Sequence, residues 1–160
     1  MQARQKLVKK DLFKIDSSTK VNELSNFYFS YLGDAFFELW CRQKILQRLQ
    51  NRKLVHNNVV KLVRCQTQAK IAEILQPYLT VEERKIFHQG RNQKVVSRPK
   101  HASIKEYREA TGFECLVGYC YFTKKTNRFE ELMKKTDLFN KIESFSNIFN
   151  KSIKTTINDD

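Results

Sequence analysis

Between Glu23 and about Leu49 apolar side chains recur at intervals of three and four residues: Leu24, Tyr28, Tyr31, Leu32, Ala35, Phe36, Leu39 and Trp40. This spacing lays one apolar stripe along an α-helix, and it predicts a single long helix over the segment. No proline interrupts it. The whole 160-residue chain holds only four glycines and two prolines, too few turn formers for a many-stranded sandwich or barrel. An all-α domain follows. With 41 % apolar residues, including 12 Phe and 6 Tyr, the chain can bury a real core.

A basic connector (Arg48 to Lys53) leads to a second predicted helix, from about Asn57 to Gln76. It turns Val59, Leu62, Val63, Ala69, Ala72 and Leu75 inward, and Pro77 ends it. Thr80-Val81-Glu82-Glu83 is a capping box opening a short helix that Gly90 is placed to close. Arg91 to Ala102 has no periodicity and reads as a loop. Ser103-Ile104-Lys105-Glu106 is a second capping box, and its helix runs to about Phe122 through Tyr107, Ala110, Glu114, Val117 and Tyr121. One or two more helices are expected between Asn127 and about Lys151. The organisation is a basic N-terminal extension (1–20), one domain (21–150) and a frayed tail (151–160).

Thirty Lys and Arg against 17 Asp and Glu give a formal charge of +13. On so small a body this surplus suits a polyanionic partner, nucleic acid or an acidic membrane surface. Part of it is also explained by codon bias, since 20 of the 30 are Lys and Asn and Phe are plentiful, as in an AT-rich genome. No uncharged apolar run is long enough to span a bilayer. The four cysteines (Cys41, Cys65, Cys115, Cys120) form no CxxC pair, which disfavours zinc and suits packed, reduced thiols. His56, His88 and His101 have no ligand spacing.

Two acids are out of character. Asp34 follows Gly33 in the middle of the most apolar helix, and Glu114 lies in Phe113-Glu114-Cys115-Leu116-Val117. A carboxylate near a core is costly unless it is paired, hydrogen-bonded or bound to metal, and Gly33 weakens its helix by roughly 1 kcal/mol relative to Ala. Asp34 therefore either turns outward to meet a basic residue or belongs to a site. Gly112 and Gly118 flank Glu114 and would let another helix approach. Two carboxylates on packed helices, without His or Cys, suit a hard cation such as Mg²⁺. Beside phosphate, that ion can activate water and stabilise a leaving alkoxide, so phosphodiester chemistry is indicated.

Tyr31-Leu32-Gly33-Asp34-Ala35-Phe36-Phe37-Glu38 resembles the signature helix of the ribonuclease III catalytic domain, in the form found in Mini-ribonuclease III. Gln66-Thr67-Gln68-Ala69, Gly90-Arg91-Asn92-Gln93-Lys94, Pro99-Lys100 and Tyr107 to Tyr121 are similar to that form in the same order. The similarity covers about Asn22 to Lys125. It implies a helical-bundle endonuclease domain that forms a homodimer, with a valley for double-stranded RNA and one Mg²⁺-dependent site per protomer. It further implies that precursor 23S ribosomal RNA is the substrate, that Asp34 is the catalytic aspartate and Glu114 its partner, and that both hold metal.

Full-length ribonuclease III carries further carboxylates where this chain has Ser30 and Thr111, and the Mini-III form resembles this chain in lacking them. Glu38 is read as structural, since carboxylates at i and i+4 repel without a cation between them. Trp40 is read as core or dimer interface. The 35 residues after Lys125 are too few for a double-stranded RNA-binding domain, so the catalytic domain is expected to grip the duplex unaided.

The segment Arg84 to Arg108 has eight basic residues against Glu106 alone, and within it Arg91, Lys94, Arg98 and Lys100 are the candidate RNA contacts. A catalytically silent RNA-binding or ribosome-associated protein of the same fold is the alternative reading. A helical DNA-binding protein has only charge in its favour. A cytoplasmic location is expected, or a plastid stroma if the chain is plastid-encoded.

Overall fold

Six α-helices and one short 3₁₀ turn, with no strand, make up the described residues of the computed structural model, which are 25–49, 51–95 and 99–138. The N-terminal extension, the C-terminal tail and any helix beyond 138 lie outside them. In chain order the helices are α1 (Asn26–Leu46), α2 (Arg52–Val63), α3 (Cys65–Leu75), α4 (Val81–Arg91), α5 (Ile104–Phe122) and α6 (Thr126–Lys134), with the 3₁₀ turn Gln76–Tyr78 after α3. No helix among the described residues is long and apolar enough to cross a membrane.

Both capping boxes form. The Thr80 hydroxyl accepts from the Glu83 amide at 3.2 Å while the Glu83 carboxylate accepts from the Thr80 amide at 2.8 Å. Ser103 and Glu106 make the same exchange at 3.1 and 2.8 Å. These reciprocal bonds satisfy amides that a helix start leaves bare. They fix where α4 and α5 begin.

Helix α5 is the central element, with α1, α3, α4 and α6 packed around it. From Ala110 to Cys120 only Glu114 escapes full burial. Phe37 and Ile45 of α1, Ile71 and Leu75 of α3, Phe87 of α4 and Leu132 of α6 close over Phe113, Leu116 and Val117. The α1–α5 crossing depends on two glycines. A Cβ on Gly33 would run into the Glu114 carbonyl oxygen and lie 2.7 Å from the Gly118 amide nitrogen, and a Cβ on Gly118 would collide with the Phe29 carbonyl. Gly33 thus gives up helix propensity to bring Asp34 against the helix that carries Glu114.

Several expectations need correcting. The predicted helix over 57–76 is two helices, broken at Arg64, whose extended backbone (ψ 149°) ends α2 and starts α3. Side chains from α3 occupy the carbonyls exposed there: Thr67 Oγ1 donates to Lys61 O at 2.6 Å and Gln68 Nε2 to Val63 O at 3.0 Å. The first of the pair starts earlier than expected, at Arg52, because the Asn51 side chain accepts from the Lys53 and Leu54 amides. Gly90 does not close α4. The helix continues through Arg91, and Gly90 instead leaves room for Cys115, whose Sγ would be 2.5 Å from an added Cβ. Helix α6 opens at Thr126 without a side-chain cap.

The buried stripe of α1 is also offset from the predicted one. Phe29, Gly33, Phe37, Trp40, Cys41 and Ile45 face the core, while Tyr28, Tyr31 and Leu39 stand in solvent, Tyr31 69 % exposed and Leu39 50 %. Helix α1 is apolar on two faces, and the core takes only one of them.

Candidate active site

Asp34 and Glu114 line one cleft of about 330 Å³. Its walls come from α1 (Phe27, Ser30, Tyr31, Asp34), the end of α4 and the turn after it (Gly90, Arg91, Gln93, Lys94), and the first half of α5 (Tyr107, Arg108, Thr111, Glu114). Asp34 sits at the solvent edge and Glu114 deeper. The outward-facing alternative for Asp34, an ion pair with a lysine or arginine, does not occur among the described residues.

The acids feel one another. Glu114 is pushed up to about 8, first by burial and then by the charge of Asp34, while a hydrogen bond from Gln68 pulls the other way. Asp34 is raised too, by burial and by the Glu38 charge, against a hydrogen bond from the same Gln68. Two carboxyl groups share one partly dehydrated site, and among the described residues no Lys or Arg forms an ion pair with either, although Arg91, Lys94 and Arg108 line the same cleft, so the pair is electrostatically incomplete.

A divalent cation fits that deficit. The donors are all oxygen, which suits a hard ion. Among the described residues no three His, Cys, Asp or Glu side chains converge, so a cation held by Asp34 and Glu114 would complete its coordination with water and substrate oxygens. Glu38 is occupied elsewhere, paired with Arg42 one turn along α1.

Ser30 and Thr111 also reach the cleft wall. Their hydroxyls are turned back to backbone, Ser30 to Phe27 O at 3.0 Å and Thr111 to Tyr107 O at 2.9 Å.

The candidate RNA contacts are placed unevenly. Arg91 and Lys94 line the cleft, Lys94 exposed and Arg91 donating through Nε to Glu109 at 2.6 Å. Lys100 is exposed in the turn before α5 and does not line the cleft. Arg98 lies outside the described residues. Arg108 and Tyr107, neither singled out by the sequence for this wall, do line it. Their signal was available, since they precede Glu114 by about two turns on the same helix. Gln68 was also legible only as part of a motif, with no role attached.

Residues 28–125 match the Ribonuclease III domain. The chain belongs to the ribonuclease III family. Among its relatives, a Mini-ribonuclease 3 from Clostridium tetani is 34 % identical over 116 residues, covering 71 % of this chain and 77 % of that one. One from Thermosynechococcus vestitus is 42 % identical over 105 residues, covering 66 % and 68 %. A crystal structure of a Fusobacterium nucleatum protein superposes with a TM-score of 0.69 at 26 % identity, over 75 % of this chain and 93 % of that one. As a ribonuclease III, the chain is an endoribonuclease, and ribonuclease III enzymes generally use divalent metal ions. The matched segment contains the whole cleft except Phe27.

Proposed function

We propose that this ribonuclease III cleaves double-stranded RNA in a Mg²⁺-dependent reaction and that Asp34 and Glu114 hold the ion. The observation that carries this reading is the pair of carboxylates, eighty positions apart, meeting in a cleft whose rim is basic. Asp34 and Glu114 would hold a divalent cation there, and when bound it would supply the means to lower the pKa of a water and to stabilise the leaving oxygen of the phosphodiester. Asp34 and Glu114 provide the negative charge that keeps the ion in place. Lys94 and Arg108 stand where they can meet phosphate oxygens along the strand, and Arg91, braced by Glu109, presents its guanidinium from the same wall. A-form RNA is recognised through phosphates, 2′-hydroxyls and shape, which suits a basic rim without a recognition helix.

A homodimer belongs to the same proposal. The outward face of α1 forms an apolar groove of about 530 Å³ lined by Leu32, Ala35, Phe36, Leu39 and Tyr121. A second protomer covering it would explain why α1 is apolar on two sides. The resemblance to Mini-ribonuclease III points to precursor 23S ribosomal RNA as substrate and to the cytoplasm as its setting.

Purified protein incubated with duplex RNA should cut it with Mg²⁺ and leave it whole with EDTA. Asp34→Asn and Glu114→Gln should each lower cleavage roughly 100-fold or more while retaining duplex binding in a gel-shift assay. Intact RNA under every metal condition would instead favour a silent RNA-binding protein. Cleavage of duplex DNA at a similar rate would remove the RNA assignment.

A further inference from the structure

The turn after α4 carries a side chain that the chemistry above leaves without a part. Gln93 lines the cleft beside Arg91 and Lys94, and its backbone N–H donates to Gly90 O at 3.1 Å. Its side chain folds back onto the helix that carries Glu114, where Nε2 donates to Cys115 Sγ at 3.2 Å. Cys115 is fully buried and next in sequence to that acid, and its Sγ donates to Asn26 O of α1 at 3.2 Å. Bonds to a thiol are weak, so close packing supplies the rigidity. Gly90 permits it, because a Cβ there would lie 2.5 Å from the Cys115 sulfur.

These two bonds dictate which way the Gln93 amide points. The thiol has a single hydrogen, committed to the Asn26 carbonyl, so the sulfur offers only lone pairs to position 93. An amide oxygen set against them would be repelled. Nitrogen therefore faces the sulfur, and Oε1 is turned away from it. None of the described residues donates a hydrogen bond to Oε1. Gln93 is only partly buried on the cleft wall, so its carbonyl is the end left to the cleft.

An acceptor there has a different use from its neighbours. Arg91, Lys94 and Arg108 are donors that suit phosphate oxygens, whereas a carbonyl repels them. A sugar–phosphate backbone presents acceptors throughout, with one exception: the ribose 2′-hydroxyl also donates, and DNA lacks it. We propose that Gln93 is a specificity-determining residue whose Oε1 accepts a hydrogen bond from a ribose 2′-hydroxyl near the cleaved bond, and that Cys115 is the positioning residue that aims it. This rests on the reading that RNA is cut in the cleft of Asp34 and Glu114.

The test uses the whole chain and a set of RNA duplexes, each with one 2′-fluoro nucleotide at a successive position around the cleaved bond. Fluorine preserves the A-form sugar but has no hydrogen to donate. The parent should cut one or two of these duplexes with kcat/KM roughly 2- to 10-fold below that on the all-ribose duplex, the range of one neutral hydrogen bond. Gln93→Met, which keeps length and removes the amide, should cut the all-ribose duplex more slowly by a similar factor and be indifferent to fluorine at those positions. If Gln93→Met does not melt cooperatively, Gln93→Ala carries the same expectation. Cys115→Ala, which keeps the amide but removes its anchor, should weaken the fluorine effect at those positions alone; an unchanged profile would remove the positioning role. A parent indifferent to fluorine at every position, or a position-93 variant that is slower throughout yet keeps the parent's profile, would overturn this inference and leave the carboxylate pair untouched. Asp34→Asn and Glu114→Gln variants as active as the parent would overturn the carboxylate reading and this inference with it.

Discussion

Glu114 gives up its proton only near pH 8 in the fold, against 4.5 for an ordinary glutamate, because burial and the neighbouring Asp34 charge both disfavour its anion. The folded chain therefore holds a proton that the unfolded chain releases. Where the native state binds more protons, stability falls as pH rises. The contribution from Glu114 is complete below about pH 4.5 and is lost progressively up to about pH 8, on the order of a few kcal/mol across the window. Metal-free protein should thus show a melting temperature that declines between these pH values, and Glu114→Gln should flatten the decline. Added Mg²⁺ should reverse its sign, because a cation binds the ionised pair and displaces the proton. A melting temperature indifferent to pH in the parent and to the substitution would mean that Glu114 is solvated like a surface acid. Asp34 was legible in the sequence as an anomaly, a carboxylate after a glycine inside an apolar helix, and Glu114 likewise. What spacing could not show is that Gln68 is buried, since it differs from an exposed helical glutamine only in what packs around it.

Helix α1 shows how an element can be read correctly and its face misassigned. Its extent was legible to within three residues at each end, because apolar periodicity and the absence of proline leave no other conformation. Its buried stripe was not, because Tyr28, Tyr31, Leu32 and Leu39 continue the helical period on a second face and hydrophobicity alone cannot rank two apolar faces. The tie is broken by Gly33, where the backbone of α5 comes close, together with Phe29, whose carbonyl lies against Gly118. The break at Arg64 was hidden for a related reason: Val59, Leu62, Ala69, Ala72 and Leu75 keep helical spacing on either side of it, and the breaker is a set of side chain to carbonyl bonds without Pro or Gly. The capping boxes, by contrast, are local and were fully legible. The crossing at Gly33 yields a prediction opposite to helix propensity. Alanine is favoured over glycine in a free helix by roughly 1 kcal/mol, yet a methyl group on Gly33 meets backbone atoms of α5 that cannot rotate away. Gly33→Ala should destabilise the domain by about 3 kcal/mol or more, at the upper end of what overpacking usually does, measured by urea denaturation. A gain in stability would show that α1 and α5 can separate without loss.

At the scale of the molecule the +13 charge and the two-faced α1 belong together. One cleft offers Arg91, Lys94 and Arg108 over a short reach, and a duplex presents its phosphates over a much longer one. Two protomers joined through the exposed face of α1 would line up two clefts and double the basic surface along one duplex. Leu39, half exposed on that face and remote from the cleft wall, is the place to break such a pair. Leu39→Glu introduces a charge that a dimer must bury and a monomer leaves in water, so light scattering should report half the parent mass with an unchanged helical spectrum. The salt dependence of RNA binding supplies an independent measure. Each neutralised phosphate contributes about −0.9 to the slope of log K against log salt on the B-DNA scale. The Leu39→Glu monomer should therefore show about half the parent slope, whereas Lys94→Ala with Lys100→Ala should lower the slope while leaving the mass of the dimer intact. A parent chain of monomer mass, or a slope that Leu39→Glu does not change, would mean that a single domain grips the duplex by itself and that the outer face of α1 serves another purpose.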